Sequence, residues 1–301
     1  MGQAAMSTPQ SENASAAARW KLRPLDTPAD MAAAEALSTV VWPGTELDVV
    51  PGHLLLTIAH NGGLVAGAFD GDRLIGFVFG FLGLDERWYP AKLKHCSHQL
   101  GVHPDYRSAG VGYALKHFQR QFVCAQGLDL VTWTYDPLLS RNAQLNIAKL
   151  GGVCNTYRRN VYGELRDGLN AGLPTDRFLV DWWLASDRVE RRVQGTDDRQ
   201  ATFAGLLASG ALPVNQPGPD GAPRPPSPEG LDRHPTGAPV LLEIPADFLA
   251  LKAADRTLAA AWRLGTRAVF EALFAAGLAV TDFVFEPVPL PRAAYVLTRP
   301  A

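Results

Sequence analysis

The segment Arg107-Ser108-Ala109-Gly110-Val111-Gly112 joins an apolar strand-like run to an amphipathic run, and it decides the fold predicted for this chain. Before the segment, Leu100 and Val102 alternate as in a half-buried strand, and Pro104 ends that run. After the segment, apolar residues recur at helical spacing. A loop between a strand and the start of a helix presents backbone N–H groups at the positive end of the helix dipole. The sequence therefore predicts a pyrophosphate site.

The residue types within this segment suit the same role. Gly110 and Gly112 have no Cβ, so the backbone there can approach a ligand closely. Arg107 can donate two hydrogen bonds to phosphate oxygens. The predicted helix would bury one face against the rest of the fold. That face comprises Val111, Ala114, Leu115, Phe118, Phe122 and Ala125.

Two other kinds of phosphate loop are excluded by their spacing. A P-loop requires Gly-Lys-Ser or Gly-Lys-Thr, whereas Gly112 is followed by Tyr113 and Ala114. A dinucleotide fingerprint requires a third small residue where Leu115 stands. The remaining pattern resembles the Arg/Gln-x-x-Gly-x-Gly/Ala motif of the GNAT superfamily of N-acetyltransferases. That resemblance implies acetyl-CoA as a co-substrate, with its pyrophosphate held by residues 107–112.

The order of the predicted elements resembles the GNAT fold over residues 19–185. Apolar patterning predicts strands at 20–25, 64–69, 74–82, 94–102, 130–134, 153–162 and 178–184, and helices at 30–41, 52–60, after 110, and at 142–150. The resemblance implies an α/β fold whose mixed central sheet is flanked by helices and splayed between its fourth and fifth strands. It also implies that the pantetheine arm pairs with backbone in that splay. The thioester would then lie near Leu100, Gly101 and Val102.

Composition divides the chain into four parts. Residues 1–18 are rich in Ala, Ser, Gln and Asn and are expected to form a disordered tail, and residues 19–192 form the domain that resembles a GNAT acetyltransferase. Residues 193–240 are predicted to be a linker or a loop because prolines and glycines concentrate there. A smaller α/β extension is predicted over residues 241–301. No internal repeat is evident, and the extension is expected to enlarge the main sheet, cover the substrate cleft or mediate a homodimer.

Charge and cysteine content narrow the class of protein. A net charge of −2 over 301 residues gives no basic field for nucleic acid or an anionic membrane. The chain has 3 cysteines without a Cys-x-x-Cys pair, so neither a disulfide framework nor a metal site is predicted. No apolar run reaches the roughly 18–20 residues that a bilayer span requires. These features predict a cytoplasmic protein that binds neither nucleic acid, membrane nor metal.

A candidate general base lies on the strand before the loop. His98 stands four residues before Val102, which predicts that both lie on one face, where the imidazole could take a proton from an ammonium substrate. The segment from His98 to His103 resembles the strand of arylalkylamine acetyltransferases, in which a histidine here belongs to the proton-removal path. Cys96 replaces the second histidine of that pattern. The alternative for His98 is a core histidine, and His95 and His103 are expected to be solvated.

Other candidate residues follow the fifth strand. Many GNAT members protonate the leaving thiolate with a tyrosine, but this chain has Ile147 at the matching position. Tyr157 and Tyr135 are the nearest alternative acids, although each phenol would also suit a packing role. Asn142 resembles the family asparagine that contacts the coenzyme, or it caps the helix. Asp136 is a candidate for binding a cationic substrate, or it is a turn carboxylate before proline.

These features together predict an acetyl-CoA-dependent N-acetyltransferase that acts by direct transfer in a ternary complex. The acceptor would be the amine of a small molecule or a peptide. Two alternatives stay open. One keeps the fold with a longer acyl-CoA donor or a hydroxyl acceptor, and the other is a non-catalytic domain that binds coenzyme A as a sensor or scaffold.

Overall fold

A computed structural model describes residues 20–44, 49–163, 172–196, 202–215, 224–228, 238–288 and 290–300. They belong to two compact units, Met1–Thr132 and Trp133–Ala301. The tail predicted over residues 1–18 lies outside the described residues. Parts of the predicted linker, residues 197–201, 216–223 and 229–237, lie outside them too.

The first unit alternates strands and helices in the predicted order. Its elements are β1 (Lys21–Pro24), α1 (Pro28–Val41), α2 (Gly52–His60), β2 (Leu64–Asp70), β3 (Arg73–Asp85), β4 (Lys92–Val102), α3 (Val111–Ala125) and β5 (Leu130–Tyr135), which ends in the second unit. Local chemistry explains where the helices begin. Thr27 and Asp30 form a capping box at the start of α1, and Pro28 takes a first-turn position that needs no N–H donor.

The sheet of the first unit is covered on both faces. Its order is β1-β2-β3-β4-β5, and neighbouring strands are antiparallel except for the parallel pair β4 and β5. Phe77 and Phe79 of β3 pack in one apolar cluster with residues of α1 and α2. Ile75 and Val78 pack in a second cluster with Leu115 of α3. Strands buried on both faces are apolar at consecutive positions, which explains the continuous apolar runs in the sequence.

The second unit continues the alternation and carries most of the aromatic core. Its elements are α4 (Ser140–Ala143) continued by a wide helical turn (Gln144–Lys149), β6 (Val153–Arg158), β7 (Arg177–Trp183), α5 (Asp187–Gln194), α6 (Phe203–Ala208), β8 (Leu212–Pro213), β9 (Val240–Ile244), α7 (Phe248–Ala254), α8 (Arg256–Ala275), β10 (Ala279–Glu286) and β11 (Arg292–Thr298). The sheet order is β5-β7-β6-β10-β11-β9-β8. The Phe178 ring lies at the centre of the aromatic core, 4.6 Å from the Phe270 ring and 5.5 Å from that of Tyr295.

The predicted α/β class is confirmed, with mixed sheets flanked by helices in both units. Of the three roles left open for the C-terminal extension, sheet enlargement is observed, because β10 pairs with β6 through Val280 and Cys154. The linker predicted over residues 193–240 is wrong in part, because α6 and β8 lie within it. Thr202 caps α6 and Phe203 is buried, so a short apolar segment escapes the proline-rich composition around it.

Candidate functional site

The predicted pyrophosphate loop has the backbone conformation of an anion-binding turn. A short helical turn, Pro104–Tyr106, leads into it. Ser108 has φ 66° and Gly110 has φ 85°, both in the left-handed region. That conformation costs a non-glycine residue such as Ser108 on the order of 1 kcal/mol. Turns of this kind gather successive N–H groups into a concave surface.

Five consecutive or nearly consecutive N–H groups line this loop without an acceptor in the part of the chain that the structure describes. They belong to Ser108, Gly110, Val111, Gly112 and Tyr113. Gly110 precedes the first residue of α3 and supplies no side-chain cap. The positive end of the helix dipole therefore adds to the N–H donors. An anion with several oxygens would satisfy these donors, and the exposed Arg107 stands at the start of the loop.

The loop is tied to the sheet on its other side. The Tyr106 hydroxyl donates a 2.9 Å hydrogen bond to Asp70, which raises the pKa of Tyr106. The Tyr106 ring also meets the Trp20 ring edge to face at 5.8 Å. His103 was expected to be solvated, but its ring lies 2.9 Å from the Arg73 guanidinium and only 15% of its side chain is exposed. These contacts fix the turn before any ligand is bound.

Helix α3 buries much of the predicted face. Val111, Ala114 and Leu115 are buried, and Phe118 and Phe122 pack partly buried against the same cluster. Ala125 is exposed, so the predicted face ends one turn early. Two buried polar residues of α3, Lys116 and Gln119, were missed because polar residues are not counted in an apolar pattern.

These two polar residues form a buried network with β4. The Lys116 ammonium donates to Ser97 Oγ at 2.8 Å and to Gln119 Oε1 at 3.0 Å. Gln119 Nε2 lies 3.1 Å from His95 Nε2. The expectation that His95 is solvated is wrong, because the residue is fully buried. Burial lowers the pKa of His95 to about 4 and that of Lys116 to about 7.

This network predicts two pH ranges in which the folded unit gains stability. Between pH 4 and 6.5 the unfolded chain binds a proton at His95 that the folded chain does not, and the same holds for Lys116 between pH 7 and 10.5. The free energy of unfolding should rise with pH in both ranges, by up to about 1.4 kcal/mol per pH unit and group. Lys116→Met should remove only the upper rise. Urea denaturation at several pH values measures this.

The exposed Lys149 supplies a matched control for that prediction. Lys149→Met should leave both rises in place. Parallel curves for the wild type and Lys116→Met above pH 7 would contradict the assignment of the upper rise to this buried amine.

Strand β4 carries one extra residue next to this network. The register pairs Phe79 with Gln99 and Gly80 with Ser97, which leaves His98 in a bulge. A bulge shifts the alternation of side chains by one. Ser97, which precedes the bulge, and Leu100 and Val102, which follow it, therefore lie on the same face of the sheet. Ser97 contacts α3 there, and the two apolar residues pack with the α3 cluster.

His98 lies on the opposite face of the sheet from Val102. Its ring stacks on Phe79 at 5.1 Å and lies 6.1 Å from the ring of Phe81. Phe79 belongs to the cluster under α1 and α2. The predicted shared face is thus wrong, because the bulge breaks the alternation. The core alternative is wrong as well, because His98 is exposed, although packing on Phe79 removes enough water to lower its pKa.

Within the first unit, β4 pairs in parallel with the beginning of β5. The register comprises His95 with Val131 and Cys96 with Thr132, whereas β4 stays paired with β3 as far as Val102. The segment Leu100-Gly101-Val102 lies beyond the last of the β5 pairs. At Gly101 a Cβ would lie 2.8 Å from the Phe77 ring, so the close packing there requires glycine.

Tyr135, a candidate acid, is buried in the second unit. Its hydroxyl lies 3.1 Å from the Tyr295 hydroxyl, which itself donates to the Pro137 carbonyl at 2.8 Å. Since Tyr295 has a single hydroxyl hydrogen, Tyr135 donates to Tyr295. Burial raises the pKa of both phenols well above the ordinary value. These contacts give Tyr135 a packing role and leave an acid role without support.

Asp136 is engaged by a cation of the chain itself. Arg263 donates to its two carboxylate oxygens at 2.8 and 2.5 Å. Leu138 N–H donates to the same carboxylate at 2.9 Å, which is the turn contact that a carboxylate before proline provides. The candidate role in binding a cationic substrate is replaced by this internal ion pair.

The two other candidates of the second unit also have structural partners. The Tyr157 hydroxyl donates at 2.8 Å to Asp176, and burial together with that carboxylate raises the pKa of Tyr157. Asn142 lies in the first turn of α4, where Leu139 is the N-cap, so the capping alternative is wrong. Ile147 is fully buried. The second unit thus brings Tyr135 and Asp136 together around Arg263 and Tyr295, both of which were missed because they lie in the C-terminal extension.

Two features are absent from the described residues. No three His, Cys, Asp or Glu side chains among them lie where they could share a metal ion. No helix in the described ranges combines the length and apolarity that a membrane span requires.

Comparison with known proteins gives structural matches alone. No protein-family model and no curated protein matches the sequence. The ribosomal-protein-S18-alanine N-acetyltransferase of Escherichia coli matches at 15% identity and a TM-score of 0.41, over 56% of this chain and 95% of that chain. A GNAT acetyltransferase of Streptococcus pneumoniae matches at 17% identity and a TM-score of 0.43, over 54% of this chain and 98% of that chain. Arabidopsis thaliana NAA60, solved with a bisubstrate analogue, matches at 18% identity and a TM-score of 0.43, over 55% of this chain and 98% of that chain. The chain is thus similar to acetyltransferases of the GNAT superfamily, which its loop resembles.

Proposed function

We propose that this protein is an acyl-CoA-dependent acyltransferase, and more narrowly an N-acetyltransferase that moves acetyl from acetyl-CoA to an amine in a ternary complex. The observation that carries the proposal is the loop from Arg107 to Gly112. Its left-handed residues and the uncapped start of α3 leave N–H groups without an acceptor among the described residues. A pyrophosphate supplies acceptor oxygens in that number, and Arg107 adds a cation.

His98 is the candidate base. It is exposed, and its lowered pKa keeps the imidazole neutral near pH 7, as proton removal from an ammonium acceptor requires. The proton would pass from the substrate nitrogen to the ring, directly or through water. The neutral amine nitrogen then bonds to the acetyl carbon, and the carbon–sulfur bond breaks. Backbone N–H groups near Leu100 to Val102 would stabilise the charge on the carbonyl oxygen.

The acceptor proposed is the amine of a small molecule or a peptide. A longer acyl donor or a hydroxyl acceptor uses the same loop and stays an alternative. A coenzyme A sensor is the second candidate function, and one observation favours it. Tyr135 and Tyr157 donate to other residues and Ile147 has no hydroxyl, so none of the expected positions offers an acid for the thiolate.

Calorimetry with the purified protein tests the proposal. Acetyl-CoA and coenzyme A should bind with similar affinity, and NAD should not bind. A screen of amines for thiol release then separates the enzyme from the sensor. Absence of binding by every coenzyme A species would overturn the acyltransferase proposal, and binding without turnover on any amine would favour the sensor.

Replacement of His98 should change the pH profile of the reaction. We expect His98→Ala to lower kcat/KM by about 100-fold near pH 6.5 and by less near pH 9, where more of the amine is already neutral. Initial rates of thiol release from pH 6 to 9.5 measure the effect. His103→Ala is the control, because that ring contacts Arg73 on the same strand pair and should leave the profile unshifted. An unshifted profile for His98→Ala would give the ring a packing role on Phe79 alone.

A further inference from the structure

Six neighbouring strands of the second unit form two halves, and the strand order of one half mirrors that of the other. β5-β7-β6 is followed by β10-β11-β9, so each half has its last strand in the middle. In each half, one outer strand leads to helical segments, then to the other outer strand, and then to the strand between the two. The first half is β5, α4, β6 and β7, and the second is β9, α7 with α8, β10 and β11. One strand–helix–strand–strand arrangement thus occurs twice.

Local geometry supports this equivalence. Gly151 has φ 78° and Gly277 has φ 82°, and each stands between a helical segment and the strand that follows it, β6 or β10. Cys154 and Val280 are each three residues beyond their glycine, and they are partners in the antiparallel pairing of β6 with β10. Equivalent residues that face each other in an antiparallel pair are the mark of a local twofold axis. The parallel pair β8 and β9 likewise corresponds to the parallel pair β4 and β5.

The sequence of the second copy has no counterpart of the phosphate-loop motif. Beyond β8 the sequence continues with Asn215-Gln216-Pro217-Gly218-Pro219, and no second Arg-x-x-Gly-x-Gly occurs in residues 212–240. The chain also stays hydrogen-bonded to β9 beyond the end of β8. Val214 N–H donates to the Leu241 carbonyl at 2.8 Å. Asn215 then accepts from the Glu243 N–H at 2.9 Å and donates to the Glu243 carbonyl at 3.0 Å.

The second copy contacts the first at the segment that follows β5. Arg263 of α8, which is 2% exposed, binds Asp136 through both carboxylate oxygens. Tyr295 of β11 accepts from Tyr135 and donates to the Pro137 carbonyl. The Ser140 hydroxyl donates to the Ala246 carbonyl at 2.5 Å. Residues Tyr135–Ser140 are thus held by α8, by β11 and by the loop that follows β9.

We infer that the described residues between Leu212 and Thr298 are a second copy that binds no coenzyme and that positions Tyr135–Ser140 of the first copy, with Arg263 and Tyr295 as the positioning residues. The functional part rests on the proposed function, because Asn142, the expected coenzyme contact, follows this segment directly. Because Asn215 occupies the backbone groups of β9, no coenzyme can pair with that strand. The second copy therefore supports the first copy structurally and does not form a second binding site.

Calorimetry and hydrogen exchange on the full chain test this inference together. Acetyl-CoA should bind with a stoichiometry of one per chain. Tyr295→Phe should speed amide exchange in peptides covering residues 135–142 by about tenfold, because it removes the hydroxyl that holds two groups of that segment. Kd and KM for acetyl-CoA should rise about fivefold while kcat stays within about twofold. Arg263→Lys keeps the charge but loses the paired contact, and it should act in the same direction.

Glu271→Gln is the matched control on α8. It breaks the exposed pair with Arg159, away from the Tyr135–Ser140 segment, and should leave exchange, Kd and KM unchanged. A stoichiometry of two would overturn the inference, as would unchanged exchange at residues 135–142 in both variants. Faster exchange in a protein that binds no coenzyme A species would support the positioning role while refuting the proposed function.

Discussion

Gly112→Asp is expected to abolish acetyl-CoA binding while the protein stays folded. Gly112 is the second residue of α3, where an acidic side chain favours the helix because it lies at the positive end of the dipole. The same carboxylate would occupy the loop and repel a pyrophosphate. We expect the affinity to fall by at least about 100-fold, on the order of 3 kcal/mol. Calorimetry measures the affinity, and circular dichroism with a melting curve checks the fold.

Gly127→Asp is the control for that substitution. Gly127 lies just beyond the other end of α3, and a Cβ there would meet open space. It adds the same charge, with some strain from φ +74°, but far from the loop. Its acetyl-CoA affinity should therefore match that of the wild type. Normal acetyl-CoA affinity in Gly112→Asp would refute the assignment of the loop.

Gly80→Ala is expected to destabilise the first unit more than any exposed substitution. A Cβ at Gly80 would lie 2.3 Å from His95 Nε2 and 2.6 Å from the Cys96 carbonyl oxygen. The His95 ring is buried and the carbonyl belongs to the backbone, so β3 and β4 must move apart beside the bulge. We expect a loss of about 3 kcal/mol in the free energy of unfolding. Urea denaturation measures it.

Gly83→Ala, three residues along β3, is the matched control. Its Cβ would meet the Cys96 thiol at 2.7 Å, a side-chain atom that can rotate away. The expected loss there is below about 1 kcal/mol. Equal losses in the two variants would show that the packing of His95 under Gly80 is not tight. If His98 is the base, Gly80→Ala should also lower kcat, because the bulge that sets the direction of His98 is displaced.

The loop and its helix could be predicted because the signal is local. The strand, the turn glycines and the helical period lie within about thirty residues, and none depends on a distant contact. The capping box of Thr27 and Asp30 is a local signal of the same kind, although the prediction of α1 did not use it. Such features define an element before the tertiary structure forms.

Errors arose where one residue changed the register. The prediction that Val102 and His98 share a face assumes that side chains alternate without interruption along the strand. The extra residue of the bulge reverses that alternation. His95 was expected at a solvated strand end, yet β4 begins at Lys92, so His95 lies well inside it. Lys116 donates hydrogen bonds to Gln119 and to Ser97, and these partners allow the polar residues to be buried. The pattern of apolar residues in the sequence gives no sign of such burial.

The repeat was missed for a different reason. Its two copies share an arrangement of strands and helices, whereas residues at equivalent places, such as Cys154 and Val280, have in common only that they are small enough to be buried. The signal that could have found it is the pair Gly151 and Gly277, each of which ends a helical segment before an apolar strand. Pairing partners such as Arg263 and Asp136 are far apart in sequence, so no local pattern connects them.

The middle position of β11 has a consequence for how the second copy folds. β11 pairs with both β9 and β10, which precede it in the chain, and it separates them in the sheet. β10 and β11 are consecutive antiparallel strands that can pair locally, but β9 pairs with a strand that follows it only after α7, α8 and β10, so the β9–β11 ladder cannot form from a hairpin of neighbouring strands. The contact order of the second copy is correspondingly high, and we expect its folding to be slow and all-or-none.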